Sequence, residues 1–326
     1  MIKIDLVTGF LGSGKTTFIR HYARYLLARG ERICILENDY GAINIDMVLL
    51  KDLLGKNLSL EMVIGGDGQS AHQRRFRTKL ISIAMLGYTR VIVEPSGIYD
   101  VDEFFDTLSD DPLDRWYEVN TVLSIVDAHP VKDRSTESGY VLASECADAG
   151  KIILSKTRGV SESEIQETVS GLNQAMETIH CNRRFTLDQD VIRKDWEELT
   201  ETEFDAIASA GYVKASYLKH SLKETEHYDS LFYMNVQMPE QALRDAITGI
   251  LGNPAAGKVY RIKGFTETTD RGFVEVNATA ENLSMQPIDK GTSVLVVIGE
   301  KLVKPVIDTY FKGFTESGDT VMHGMA

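Results

Sequence analysis

A glycine-rich segment near the amino terminus carries residues whose types and spacing indicate phosphate chemistry. It reads Gly9-Phe10-Leu11-Gly12-Ser13-Gly14-Lys15-Thr16, which is the Gly-x-x-x-x-Gly-Lys-Thr pattern of a P-loop. Glycines let the backbone curl so that consecutive N–H groups face a phosphate at the positive end of a helix. We expect Lys15 to reach the β- and γ-phosphates, Thr16 to ligate Mg²⁺ and Thr17 to contact the α-phosphate. The pattern predicts a nucleoside-triphosphate site formed by Gly9, Gly12, Ser13, Gly14, Lys15, Thr16 and Thr17.

A second group of candidate residues follows the apolar run at residues 91–93, where the sequence reads Glu94-Pro95-Ser96-Gly97. A carboxylate at the carboxyl end of a buried strand is suited to an outer-sphere magnesium ligand or to orienting the attacking water. The N–H of Gly97 would donate to a γ-phosphate, a contact that exists only before hydrolysis. The alternative is a glutamate that merely caps a turn.

A third group is Glu37-Asn38-Asp39-Tyr40-Gly41, with Asp46 a few residues further on. Carboxylates at this position would face a triphosphate only if a cation lies between them. We therefore predict Asp39 as a magnesium-side or water-positioning residue and Glu37 as a ligand for a second metal; the alternative is a solvated acidic loop. The predicted catalytic residues are Lys15, Asp39, Glu94 and Gly97. The predicted metal ligands are Thr16, Glu37, Asp39 and Glu94.

Short apolar runs alternate with longer helix-like segments throughout the first half of the chain. The segment 16–28, for example, carries its apolar side chains on one broad face. Strands that alternate with helices predict an α/β fold in which a mostly parallel sheet is covered by helices. The carboxyl ends of the strands then form the functional edge. The runs that we assign to strands are residues 2–7, 32–36, 60–64, 90–93, 121–126 and 151–154.

The order of elements changes from about Tyr228 onward. A strand at 231–238 and a helix at 239–251 are followed by three closely spaced strands and a last helix near 304–311. This order predicts a smaller α+β C-terminal domain. We therefore assign residues 1–200 to a P-loop NTPase domain, 201–227 to a linker and 228–326 to the C-terminal domain.

The overall charge and hydropathy exclude some classes of partner. The 326-residue chain has a formal net charge of −13, so it has no basic surplus to displace counterions from nucleic acid. No apolar stretch reaches the roughly 20 residues that span a bilayer, and the first residues do not form a signal peptide. The three cysteines lack the spacing of a metal site or a disulfide framework. We expect a cytoplasmic protein that has neither a nucleic-acid nor a membrane partner.

In this order, the motifs resemble those of the CobW-like GTPases, which are relatives of the urease and hydrogenase nickel-insertion GTPases. Near the C-terminus, the sequence Tyr260-Arg261-Ile262-Lys263-Gly264-Phe265 resembles the Arg-x-Lys-Gly strand of the CobW C-terminal domain. The resemblance covers nearly the whole chain and implies a P-loop GTPase that acts as a metallochaperone or cofactor-insertion factor. It also implies a nucleotide-dependent homodimer. The matching segments are 8–17, 38–46, 94–97, 126–128, 147–157 and 260–265.

Two departures from the family pattern concern the metal that is carried and the nucleotide base that is recognised. The family usually has Cys-x-Cys-Cys after the third strand, whereas residues 64–70 here contain no cysteine, and soft-metal capture needs sulfur ligands. Where the family has Asn-Lys-x-Asp for guanine, this chain reads Ser155-Lys156-Thr157-Arg158. Ser155 and Lys156 still suit nucleotide binding, with Lys156 along the purine face, but Arg158 has only hydrogen-bond donors. GTP is expected by resemblance, with ATP or loose specificity as the alternative.

The function that these features predict is a slow, nucleotide-gated hydrolase that delivers or remodels a metal or a metallocofactor in a client metalloprotein. Without Cys-x-Cys-Cys, the expected cargo is a preassembled cofactor, such as a corrinoid, or a client conformation rather than a naked zinc ion. Two alternatives stay open. A small-molecule kinase shares the P-loop but needs an acceptor site and usually an arginine-bearing lid, for which the sequence has no separate insertion. A catalytically degenerate regulatory protein would hold nucleotide without turning it over.

Overall fold

The apolar runs of the first half of the chain pair into one parallel sheet in the computed structural model. In the described residues the order of the strands is β3-β2-β4-β1-β5-β6-β7, and each neighbouring pair is parallel. These strands are β1 (Ile2–Thr8), β2 (Ile33–Asp39), β3 (Leu58–Ile64), β4 (Arg90–Pro95), β5 (Tyr117–Asp127), β6 (Lys151–Ser155) and β7 (Val191–Ile192). The predicted α/β fold with a parallel sheet is confirmed.

Helices cover this sheet on both faces. Every residue of β4 is buried, as expected for a central strand that is packed on both sides. On one face, Phe18, Ile19 and Tyr22 of the first helix pack into a core with apolar residues of the strands. The helices are α1 (Lys15–Ala28), α2 (Gln69–Ala84), α3 (Val101–Ser109), α4 (Leu113–Trp116), α5 (Thr136–Ala147), α6 (Glu162–Thr178) and α7 (Glu201–Ala208).

The chain divides into two compact units. The structure describes residues 1–39, 50, 52–64, 69–97, 99, 101–131, 136–218, 228–280, 282–288, 293–314 and 324–325. Of these, the residues up to 218 belong to the first unit and those from 228 onward to the second. Residues 201–218 therefore lie in the first unit, although the sequence assigned them to a linker. In α7, Phe204 and Ile207 are buried in the same core as α1, which explains why this segment does not behave as a linker.

The second unit has an antiparallel sheet with the strand order β11-β10-β9-β12-β8-β13 in its described part. Its apolar core joins alternate residues of these strands to the two helices. The strands are β8 (Tyr228–Met234), β9 (Lys258–Thr268), β10 (Gly272–Ala278), β11 (Leu283–Pro287), β12 (Val294–Glu300) and β13 (Gly324–Met325), and the helices are α8 (Glu240–Leu251) and α9 (Lys304–Phe311).

Strand β11 was missed in the sequence because Leu-Ser-Met-Gln-Pro is a partly exposed edge strand without an apolar run. Proline lacks the N–H that an inner strand needs, and it is tolerated at a sheet edge. Among the described residues of both units, no helix is long and apolar enough to cross a membrane.

Truncating Phe204, which packs α7 into the core, should destabilise the first unit. Phe204→Ala removes a buried ring from the core, so we expect the free energy of unfolding to fall by about 3–5 kcal/mol. Both tryptophans of the chain, Trp116 and Trp196, lie in the first unit, so urea unfolding followed by tryptophan fluorescence reports this unit. Thr202→Ala on the exposed face of the same helix is the matched control. Equal stability of the two variants would contradict the packing of α7.

Candidate functional site

The P-loop connects β1 to α1 at the carboxyl edge of the parallel sheet. Gly12 and Gly14 have φ values of 76° and 96°, which residues with a side chain rarely adopt. The Lys15 Nζ donates a hydrogen bond of 2.7 Å to the carbonyl of Gly9 across the loop. The loop is thus closed on itself by its own lysine, and this ammonium lies where a P-loop needs positive charge.

Thr16 and Glu94 join the P-loop to the end of β4. The Thr16 hydroxyl donates a hydrogen bond of 2.6 Å to Glu94 Oε1, and both side chains are buried. A hydroxyl that donates its proton to a carboxylate keeps its lone pairs for a cation, and Mg²⁺ prefers oxygen ligands of these two kinds. The residues therefore fit a magnesium ion. Of their neighbours, Ser13 is buried and Thr17 is exposed at the start of α1.

Glu37 lies on the strand next to Glu94. The parallel pairing of β2 with β4 puts the two residues in register, so their side chains share one face of the sheet. Glu37 is 3% exposed and Glu94 is 6% exposed. Neighbouring buried carboxylates repel each other unless positive charge or a proton compensates. The end of this strand pair is therefore suited to a cation.

Some residues that the sequence singled out lie outside the described part of the chain. Asp39 ends β2, but its side chain is not among the described ones, and neither are Asp46 and residues 65–68. Within the described ranges, no three side chains of His, Cys, Asp or Glu come together as a metal site. The cysteines at 34, 146 and 181 are buried.

Gly97 lies directly against the P-loop. A Cβ at this position would be 2.7 Å from the backbone nitrogen of Leu11, so a larger residue does not fit without moving the backbone. The N–H of Ser96 donates to the carbonyl of Asn38 at 2.9 Å, which ties the segment after β4 to the end of β2. The predicted catalytic residues lie in the P-loop, at the ends of β2 and β4, and in the segment after β4. These four segments thus meet at one edge of the sheet.

Ser155 and Lys156 lie at the end of β6, also beside the P-loop. Ser155 is buried, and its Cβ is 3.8 Å from the position that a Cβ on Gly14 would take. The Lys156 Nζ donates to Asp127 Oδ2 at 2.6 Å. Burial of Asp127 opposes its ionisation, but the charge and hydrogen bond of Lys156, together with hydrogen bonds from His129, hold the pKa of Asp127 below its ordinary value. Asp127 therefore anchors Lys156 as an ionised partner.

Arg158 points to the segment that follows β7. Its Nε is 2.6 Å from Asp195 Oδ2 and its Nη2 is 2.5 Å from Glu197 Oε2. The guanidinium is 71% exposed and presents only donors. Asp195 Oδ1 also accepts the backbone N–H of Glu197, so both of its oxygens already have partners. The structure therefore shows an arginine held by two carboxylates at this end of β6.

Trp196 is a site residue that no motif in the sequence marked. A Cβ on Gly14 would lie 3.1 Å from its ring, and its Nε1 donates to the carbonyl of Leu154 at 3.0 Å. The ring also packs edge-on against Phe18 of α1, with 5.5 Å between the ring centroids. The rarity of tryptophan, with two in the chain, was the one available signal. The indole braces the P-loop against β6.

This fold and this edge define a nucleotide-binding protein of the P-loop class. Residues 3–184 match the family model described as "CobW/HypB/UreG, nucleotide-binding domain". The chain belongs to this family, and it is a P-loop GTPase. The family resemblance seen in the motifs is confirmed.

Characterised relatives match over different lengths. The chain is 27% identical to the zinc chaperone YeiR of Escherichia coli K12 over 301 residues, which cover 88% of this chain and 89% of that protein. It is 26% identical to the zinc chaperone YjiA of the same organism over 53% of this chain and 55% of that protein. A crystal structure of Zn(II)-bound YjiA GTPase covers 97% of this chain and 99% of that one, with 19% identity and a TM-score of 0.33.

Replacing Arg158 should change how strongly the protein distinguishes purines. In Arg158→Asp a carboxylate can accept hydrogen bonds from guanine N1–H and N2, and charge-assisted contacts of this kind should raise the GTP-to-ATP affinity ratio by roughly 10- to 150-fold. Calorimetric titration of both nucleotides with Mg²⁺ measures the ratio. Arg184→Asp, which breaks an exposed ion pair with Glu177 elsewhere, is the control. A wild-type protein that already rejects ATP strictly would contradict the interpretation of Arg158.

Proposed function

We propose that this protein is a GTP-hydrolysing switch that hands a metal ion or a metallocofactor to a client metalloprotein. The observation that carries the proposal is the Thr16–Glu94 hydrogen bond. It joins the phosphate-binding loop to the end of β4, where Glu94 is in register with Glu37 of the neighbouring strand β2. The nucleotide and a carboxylate suited to a metal thereby share one edge of the sheet. Relatives named as zinc chaperones support zinc as the first candidate cargo.

In this proposal the residues of the edge have separate parts in binding and hydrolysis. The backbone N–H groups of the P-loop hold the phosphates, and Lys15 neutralises charge on the β- and γ-phosphates. Thr16 and Glu94 hold Mg²⁺, which when bound neutralises charge on the phosphate oxygens. Gly97 donates its N–H to the γ-phosphate and loses this partner after hydrolysis. Asp39 orients the attacking water.

The two units have different tasks in this account. The first binds and hydrolyses GTP, and the second, which we assign to a CobW-like C-terminal domain, contributes to the recognition of the client. We also propose a nucleotide-dependent homodimer. The net charge of −13 supports protein partners rather than nucleic acid, and the need for a nucleoside triphosphate supports a cytoplasmic location.

The cargo site differs from the sulfur-rich one of the family, because residues 64–70 contain no cysteine. Glu37 is then the carboxylate that links cargo to nucleotide, since it shares the strand pair with Glu94. Oxygen ligands bind zinc without the thiolates that structural zinc sites use. The bound ion is therefore exchangeable, which suits delivery, and an intact metallocofactor held through one carboxylate meets the same requirement.

Zinc affinity should depend on the nucleotide and on Glu37. We expect wild-type zinc affinities with Mg²⁺–GTPγS and with Mg²⁺–GDP to differ by roughly 5- to 150-fold, the usual range of coupling between two sites. Glu37→Ala should weaken zinc binding and abolish this difference. Competition with a chromogenic zinc chelator measures the affinities. The control is Glu61→Ala, which should behave as the wild type. Glu61 is a half-buried carboxylate on β3, the strand next to β2, and it pairs with Lys79 of α2.

Zinc binding that is unaffected by both the nucleotide and Glu37→Ala would reject the metal-delivery part of the proposal. The GTPase part would survive that result if phosphate is still released from GTP.

A further inference from the structure

Glu145 is a fully buried acid in α5, close to the nucleotide edge, and none of the roles above uses it. Its side chain is 0% exposed, which is rare for glutamate. The neighbouring residues Ser144, Cys146 and Ala147 are also buried. A buried carboxyl needs partners to offset the loss of water, and its contacts therefore indicate what it is for.

The first contact of Glu145 is with the segment that carries Gly97. The N–H of Tyr99 donates to Glu145 Oε1 at 3.4 Å, and Tyr99 comes two residues after Gly97. The other oxygen, Oε2, has no hydrogen-bond partner among the described residues. A buried polar atom without a partner is unusual in a native protein, so this carboxyl is not accounted for by packing alone.

The second interaction is electrostatic. Burial raises the pKa of Glu145 to about 8, and attraction to the Lys15 ammonium opposes this rise. Glu145 thus lies within the field of the P-loop lysine. Glutamine matches the shape of this side chain and keeps a carbonyl acceptor.

Three contacts of the segment that carries Gly97 are seen among the described residues. On one side the N–H of Ser96 bonds to the carbonyl of Asn38, which is a contact between backbones. In the middle, Gly97 is pressed against Leu11 of the P-loop. On the far side the N–H of Tyr99 bonds to Glu145. Of these three supports, the one on the far side depends on a single side chain.

We propose that Glu145 is a positioning residue that holds the Gly97 N–H in place for the γ-phosphate by anchoring Tyr99 to α5. The inference rests on the proposed function, because it assumes that Gly97 reads the γ-phosphate. Loss of the anchor removes the hydrogen bond of the Tyr99 N–H, so the Gly97 N–H two residues earlier is held less firmly in direction. Binding of a diphosphate does not use this N–H and is unaffected.

The test compares Glu145→Gln with Glu145→Met. Glutamine keeps an acceptor for the Tyr99 N–H, whereas methionine is of similar length and has none. We expect Glu145→Met to lower both kcat for GTP and the preference for GTPγS over GDP by about 10- to 100-fold, the cost of a small misplacement. Its affinity for GDP should be unchanged, and Glu145→Gln should resemble the wild type in every respect.

Asp148 offers a matched control at the end of the same helix. It is also buried, and its Oδ1 accepts the backbone N–H of Ala215 at 2.8 Å, in a segment away from Gly97. Asp148→Leu should lower the Tm without changing the ratio of GTPγS to GDP affinity. This contrast separates a positioning role from general loss of stability.

The inference is overturned if Glu145→Met keeps the wild-type ratio, if Glu145→Gln is as impaired as Glu145→Met, or if GTPγS and GDP affinities fall together. Should Glu145→Met not fold, Glu145→Ala is measured in the same way. A wild-type protein that binds GTPγS and GDP equally would reject the proposed function and this inference together. A wild-type preference that survives Glu145→Met would reject only the role of Glu145.

Discussion

The hydrogen bond from Thr16 to Glu94 connects the phosphate-binding loop to the rest of the carboxyl edge. It spans 78 positions of sequence and exists only because β1 and β4 are neighbours in the sheet. The same strand, β4, pairs on its other side with β2 and so brings Glu37 alongside Glu94. Parallel register therefore joins three separate stretches of sequence into one site, and the predicted roles of all three depend on it.

Buried charge is the second constraint on this edge. Lys15, Glu37 and Glu94 are each less than 10% exposed, and buried ionised groups are costly unless they are compensated. In the described structure Lys15 bonds to the Gly9 carbonyl and Glu94 accepts from Thr16. A nucleotide brings phosphate charge for Lys15 and a divalent ion for the carboxylates. An edge with this composition is best balanced when the ligand is present, which favours a switch over a static scaffold.

The sequence predicted the parts of the site that are local in the chain. The P-loop and the strand-end glutamates could be found because glycine spacing and apolar runs carry their own structural meaning. Other parts of the site join distant segments and have no local pattern. They are the contacts of Arg158 with Asp195 and Glu197 and the packing of Trp196 against Gly14. Glu145 was also missed, because a single acid in a helix has the same appearance whether it is buried or exposed.

Segment boundaries were predicted less well than the elements themselves. The sequence assigned residues 201–218 to a linker, yet Phe204 and Ile207 bury one face of α7 in the core of the first unit. Two apolar residues three positions apart in a short helix are a weak periodic signal, and tertiary packing decides such cases. Edge strand β11 was missed for the related reason that half-exposed strands do not need apolar runs.

Phosphate release from GTP, measured in single turnover without any added acceptor and with and without Mg²⁺, distinguishes a hydrolytic switch from a kinase. We expect slow release that requires Mg²⁺ and is lost in Glu94→Gln. Gly171→Ala, at a helical position where an added Cβ meets no other atom within 4 Å, should hydrolyse GTP like the wild type. Release that begins only when a small-molecule acceptor is added would indicate a kinase. Tight GTP binding with turnover unchanged in Glu94→Gln, or with no turnover in the wild type, would contradict a hydrolytic switch.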